Sequence, residues 1–182
     1  QAILTNKNHK TGTDRINEAI KKLGRTDVEL VMNLQGDEPL MNVADIKKLH
    51  AQMVKTKFEL GTLASNITHH ELYDNLNVVK VITKESLDNS QFPEAINFTR
   101  KLNDKPKNIY KHLGIYCYKL KTLEKFVSFN QSVNEIKYKL EQLRALDNEM
   151  KINVAFADSS PIGVDTEEDF VAIKKIMEYK SK

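Results

Sequence analysis

At 182 residues, with 40% hydrophobic and 29% charged side chains, the sequence has the size and balance of one globular domain, residues 1–182, which excludes a disordered or fibrous protein. The formal net charge of +3 is scattered along the chain, which argues against duplex nucleic acid as a partner. No apolar run approaches the ~20 residues that a membrane span needs.

The chain opens at Gln1, directly in the apolar run Ala2-Ile3-Leu4, as if entering in mid-fold, and an N-terminal truncation is expected. Residues 2–5 read as a strand. Ile16, Ala19, Ile20 and Leu23 then recur at helical spacing, and Gly24 stops that helix. Residues 28–34 form a nearly continuous apolar run, the pattern of a strand buried on both faces, and end in the turn Gln35-Gly36-Asp37-Glu38-Pro39. Asn42 offers an N-cap to a helix whose apolar face is Ile46, Leu49 and Met53. Strands are predicted over 60–67 and 78–83, with a short helix at 70–75 between them. Strands over 94–99 and 112–119 follow, separated by a polar loop at 101–108. Residues 120–129 and 133–148 carry helical spacing, the second with Ile136, Leu140 and Leu143 facing inward. A strand over 152–157, a loop with Pro161 and Gly163, and a last helix capped by Thr166 complete the chain. That helix buries Phe170, Ile173 and Met177. Strands alternating with helices predict an α/β fold, a mainly parallel sheet covered on both faces.

Three residue counts bear on chemistry. Arginines number 4, Arg15, Arg25, Arg100 and Arg144, against 24 lysines, so an arginine here is needed for its planar two-pronged donor geometry. The 6 glycines never fall within ten residues of each other, so the sequence holds no glycine-rich phosphate loop. The single cysteine, Cys117, cannot make an internal disulfide, and nothing at the start resembles a signal peptide, so a reducing cytoplasm is the expected compartment.

In open α/β sheets ligands bind beyond the carboxyl ends of strands. Asp37 follows the run 28–34 and Asp165 follows the run 152–157. Two carboxylates at one sheet end suit a magnesium ion whose other ligands are water and phosphate. Taken singly, each aspartate also fits an ordinary turn or helix start. His112, Gly114 and Tyr116 share one face of their strand, with Gly114 leaving a gap between two polar tips, while Leu113, Ile115 and Cys117 face the core. A half-exposed strand with ordinary surface residues would read the same way. Glu141, Gln142 and Arg144 read alone as a solvated helix face. His9, His50, His69 and His70 lack the spacing of a zinc site.

Five motifs then occur in one order: Lys10-Thr11-Gly12-Thr13-Asp14-Arg15, Asn33-Leu34-Gln35-Gly36-Asp37-Glu38-Pro39, Lys111-His112-Leu113-Gly114-Ile115-Tyr116, Leu140-Glu141-Gln142-Leu143-Arg144 and Gly163-Val164-Asp165-Thr166. The series closely resembles the 3-deoxy-manno-octulosonate cytidylyltransferases, or CMP-Kdo synthetases, along essentially the whole chain. The resemblance implies a Rossmann-like nucleotidyltransferase fold. It further implies a magnesium-dependent, cytoplasmic, homodimeric enzyme of lipopolysaccharide biosynthesis that joins CTP to the acidic eight-carbon sugar Kdo, giving CMP-Kdo and pyrophosphate. By the same resemblance Gly12, Thr13, Arg15 and Gln35 surround the cytidine portion, and Asp37 and Asp165 are the catalytic, metal-binding aspartates. Arg100, His112, Tyr116, Glu141 and Gln142 line the sugar pocket. Two departures stand out. The family's first strand and basic glycine-containing loop are absent from the sequence, so the chain alone is expected to be inactive. The family's Ile-Pro-Trp-x-Arg stretch is replaced by Lys101-Leu102-Asn103-Asp104-Lys105-Pro106. A related sugar acid, 8-amino-Kdo or a sialic-type acid, and a non-catalytic binding or dimerisation module are the alternative readings.

Overall fold

The computed structural model of the chain describes residues 2–180 except 26, 88–91, 103, 105 and 165. The first helix, α1 (Gly12–Leu23), starts where the extended Thr11 accepts from the Asp14 N–H, and ends at Gly24 in the left-handed conformation, φ 62°. Then follow β1 (Leu30–Asn33), α2 (Val43–Lys55), β2 (Leu60–Ser65), α3 (Glu71–Asp74), β3 (Lys80–Thr83), β4 (Ala95–Thr99) and β5 (Ile109–Lys119). The remaining elements are α4 (Leu120–Ser128), α5 (Val133–Tyr138), α6 (Leu143–Asp147), β6 (Asn153–Phe156) and α7 (Glu167–Lys180). Asn42 caps α2 as its sequence predicts, accepting from Ala44 N.

The sheet runs β4-β3-β5-β2-β6, and β1 pairs with the far end of β5. Four strands, β1, β2, β3 and β6, point one way, as a parallel α/β sheet requires. Strands β4 and β5 run against them. Because β5 takes the centre, β2 and β6 are the one parallel pair among the described strands, and the sheet is mixed rather than mainly parallel. The cause is the connection: β3, β4 and β5 follow one another with no described helix between them, and such connections return the chain antiparallel.

Helices cover both faces. Leu49 and Met53 of α2 pack with Leu63, Leu113, Ile115 and Cys117 on one side. On the other, Ile16 and Ile20 of α1 and Leu123 and Phe126 of α4 pack with Tyr116 and Tyr118.

Four expectations need correction. Residues 2–5 form no strand; Leu4 is 90% exposed, and its carbonyl and the Thr5 hydroxyl accept from Lys22 and Arg15 of α1 instead of a strand neighbour. Strand β1 is fully buried on one face only: Val31 and Asn33 are buried, while Leu30 and Met32 are half-buried against the α2-side cluster. The helix predicted over 133–148 is two helices, because Lys139 adopts the left-handed region at φ 52° and the Leu140 N–H turns back to the Glu135 carbonyl. That break leaves Ile136 61% exposed while Leu140 and Leu143 stay buried. In α7 Ile173 is buried, but Phe170 and Met177 remain about half exposed.

Candidate active site

The site is built on β5. Opposite Thr62 and Leu63 of β2, the partners on β5 jump from Tyr116 to Leu113, so two extra residues bulge out of the ladder. An insertion of two keeps the period-two alternation. His112 and Tyr116 therefore share one face with Tyr118, while Leu113, Ile115 and Cys117 face α2, as predicted. The groups freed by the bulge find side-chain partners: Glu38 Oε1 accepts from Gly114 N at 3.0 Å, and Thr62 Oγ1 donates to Ile115 O at 2.7 Å.

That last bond fixes the tautomer of His112. The single Thr62 hydroxyl proton goes to Ile115, so the 2.9 Å contact to His112 Nε2 is an imidazole N–H donating to Thr62 Oγ1. The other ring nitrogen is then an acceptor, suited to a hydroxyl. Burial lowers the His112 pKa to about 3, so the ring is neutral in the folded state. An unfolded chain protonates this ring near its ordinary value and the folded one does not, so stability is intact above pH ~6.5 and falls as pH drops through that value toward about 3. His112→Gln is expected to lose about 2 kcal/mol less than the unchanged protein between pH 7 and pH 5, as read by urea unfolding at both pH values. Equal losses would contradict the buried neutral ring.

His112 and Gly114 line a cavity of about 460 Å³ together with Asp37, Glu38, Arg100 and Lys111. Its far wall is the turn after α3. The Arg100 guanidinium donates to the carbonyls of Leu76 and Asn77, and the fully buried Lys80 ties that turn to β4 by donating to Asn75 O at 2.6 Å and Arg100 O at 2.8 Å. Lys111 donates to Pro161 O at 2.6 Å, which anchors the 161–164 loop on the opposite wall.

Asp37 is exposed at the rim of this cavity. Its carbonyl accepts from Val164 N at 2.8 Å, so the segment leading to position 165 runs beside it. Asp165 itself lies outside the described residues. No group of three or more His, Cys, Asp or Glu side chains that could hold a metal occurs among the described residues.

Next to the cavity, across Tyr116, lies a second polar cluster. Gly12 of α1 approaches Gln35 so closely that a Cβ there would sit 3.0 Å from Gln35 Nε2. Gln35 donates to Asn33 Oδ1, Asn33 reaches the Thr13 hydroxyl at 3.5 Å, and Tyr118 OH lies 3.4 Å from that hydroxyl. Glu141 lies against Thr13, with burial pushing its carboxyl up and Thr13 and Arg144 drawing it part-way back. Its Oε1 has no hydrogen-bond partner. Tyr116 feels the charges of both Glu38 and Glu141, and its phenol is held well above its ordinary pKa, first by burial.

The structure thus gathers Gly12, Thr13 and Gln35 in one cluster, joins Glu141 to them, and groups Asp37, Arg100 and His112 around the cavity. Tyr116 stands between the two. Gln142 is buried at the start of α6, and Arg144, read from sequence as part of a solvated face, is buried as well. Arg15 is not brought to the cluster; it is exposed, and its guanidinium donates to Thr5 Oγ1 and Asn6 O. Glu38, Thr62, Lys80 and Lys111 were missed as site-building residues. Only Glu38 and Lys111 had a signal, since they stand inside two of the five motifs that carried the resemblance.

A sequence family described as cytidylyltransferase matches residues 1–152. The 3-deoxy-manno-octulosonate cytidylyltransferase of Afipia carboxidovorans is 38% identical over 181 residues, covering 97% of this chain and 72% of that protein. The chain belongs to the 3-deoxy-manno-octulosonate cytidylyltransferase family. A homologous cytidylyltransferase from Thermodesulfovibrio yellowstonii is 37% identical, with 97% of this chain and 73% of that protein covered. Among solved structures, a CMP:2-keto-3-deoxy-manno-octonic acid synthetase complexed with CTP superimposes with a TM-score of 0.84 at 28% identity, over 99% of this chain and 73% of that one. An apo UDP-glucose pyrophosphorylase shares the fold, with a TM-score of 0.67 at 13% identity. The nucleotidyltransferase-like α/β fold expected from the sequence is therefore the fold found.

Proposed function

We infer that the protein transfers CMP from CTP to Kdo, releasing pyrophosphate, as the cytidylyltransferases it matches are named for. The observation that carries this reading is the juxtaposition, across Tyr116, of the Gly12–Thr13–Gln35 cluster with the cavity holding Asp37, Arg100 and His112. One compartment suits a nucleoside and the other an acidic polyol. The anomeric hydroxyl of the sugar attacks the α-phosphorus in line; an oxygen–phosphorus bond forms, the bond to the β-phosphate oxygen breaks, pyrophosphate leaves with that oxygen, and the hydroxyl proton passes to solvent. No covalent enzyme intermediate is needed, so the side chains act by orienting both substrates and excluding water. Arg100 and Lys111 bring positive charge to a cavity that takes a carboxylate sugar, while the acceptor nitrogen of His112 suits one of its hydroxyls.

Asp37, with Asp165, would hold a magnesium ion. When bound, the ion would neutralise phosphate charge and lower the pKa of the attacking hydroxyl. The proposal extends to a homodimer, for which the exposed Ile96 on β4 and Val133, Ile136 and Tyr138 on α5 offer apolar surface for a second copy. A cytoplasmic site of action in lipopolysaccharide biosynthesis completes it. Among the described residues no helix is long and apolar enough to cross a membrane.

Gly114 supplies a test of the sugar compartment. A Cβ there meets Glu38 Oε1 at 3.5 Å, an ordinary contact. Gly114→Ala is therefore expected to keep its stability within about 1 kcal/mol while its added methyl intrudes on the cavity wall beside Glu38. Steady-state pyrophosphate release should show the KM for Kdo rising about tenfold and the KM for CTP unchanged. A rise in the CTP KM alone would reverse the assignment of the two compartments.

A further inference from the structure

Arg144 stands out by what surrounds it. Only 1% exposed, it donates Nε and Nη2 to the two Glu135 oxygens at 2.8 and 2.6 Å, donates Nη1 to Asp14 Oδ1 at 3.0 Å, and lies over the Phe126 ring at 4.6 Å. Both partners are themselves held. Glu135 also accepts from Gln131 Nε2 and Ser132 N, and Asp14 accepts from the Thr11 hydroxyl that caps α1. A lysine could not make this fork, and the chain otherwise uses lysine for most of its positive charge.

A buried ion pair is a poor device for stability, since well-packed apolar side chains commonly do as well. Its use lies in fixing one geometry. Asp14 follows Thr13 in α1, and Arg144 follows Glu141 and Gln142 at the start of α6. Thr13 and Glu141 meet directly, and Tyr118 at the end of β5 reaches Thr13 beside them. We infer that Arg144 is a positioning residue for the transfer: through Asp14 it fixes the first turn of α1, through Glu135 it fixes the α5–α6 turn, and together these set the separation of Thr13 and Glu141. This rests on the reading of Thr13 and Glu141 as substrate-facing. Arg144 touches neither of them in a way that would make it a reacting group; it acts through the backbone segments that carry them.

The partly exposed Asp14 gives the gentlest test. Asp14→Asn keeps the helix cap and leaves the Arg144–Glu135 fork intact, and Arg144→Lys keeps the charge but loses the fork. With the full protein, titration calorimetry of CTP and steady-state kinetics with Kdo are measured alongside thermal melts. Asp14→Asn is expected to melt like the unchanged protein, to bind CTP about tenfold more weakly, and to keep its KM for Kdo. Arg144→Lys is expected to raise both KM values and to lower kcat about tenfold in its folded fraction. The inference is overturned if Asp14→Asn binds CTP as the unchanged protein does, or if Arg144→Lys loses only activity proportional to its loss of folded protein. A protein that binds no CTP at all before any substitution overturns the site reading, and this inference with it.

Discussion

Asp37→Asn is expected to reduce CMP transfer about a thousand-fold while leaving the protein folded. The carboxylate is exposed at the cavity rim, so the fold loses no buried charge, and surface changes of this kind stay within about 0.5 kcal/mol. Transition-state charge on the transferring phosphoryl group is a different matter. The metal site proposed there would supply several kcal/mol, and each ~1.4 kcal/mol is tenfold in rate. Initial rates across a magnesium series check this. The variant should need far more magnesium and stay slow at saturation; unchanged rates at all magnesium concentrations would remove Asp37 from the chemistry.

Gly61→Val is expected to cost about 3 kcal/mol of stability and about 10 °C in melting temperature, with no direct effect on the site. A Cβ at this position in β2 would sit 2.7 Å from Phe92 Cζ, 2.8 Å from Met53 Sδ and 3.0 Å from Leu49 Cδ1. All three neighbours belong to the buried cluster between α2 and the sheet. Each would have to move, in an interior with no room to receive it. A calorimetric melt within about 2 °C of the unchanged protein would show that the cluster is looser than its geometry indicates.

Local patterns were legible where local forces decide. The Asn42 and Thr166 caps and the Gly24 stop depend on hydrogen bonds within a few residues, and each stands where the sequence places it. The two faces of β5 were legible for the same reason, since alternation needs only the strand itself. Sheet direction was not, because it depends on whether a helix crosses between strands. The break at Lys139 was invisible to periodicity: Ile136, Leu140 and Leu143 keep helical spacing straight through it. Tertiary packing decides there, by burying Leu140 and Gln142 while Glu135 turns inward to Arg144. In the site, Asp37, His112 and Gly114 were found as strand-end and strand-face residues. Lys80 and Thr62 were not, since a buried lysine donating to two carbonyls and a threonine capping a bulge leave no mark in a single sequence. Arg144 lies between these cases. The scarcity of arginine marked it as needing its fork, but its partners, nine residues back and on another helix, lie beyond any local pattern.

The central claim is that this site moves the CMP group of CTP to Kdo. The most direct measurement incubates the full-length protein with magnesium, Kdo and CTP labelled on its α-phosphate, and follows the label by chromatography and mass spectrometry. The expected result is labelled CMP-Kdo and unlabelled pyrophosphate in equal amounts. Label that stays on CTP with Kdo present, but passes to another sugar acid under the same conditions, would contradict the assignment.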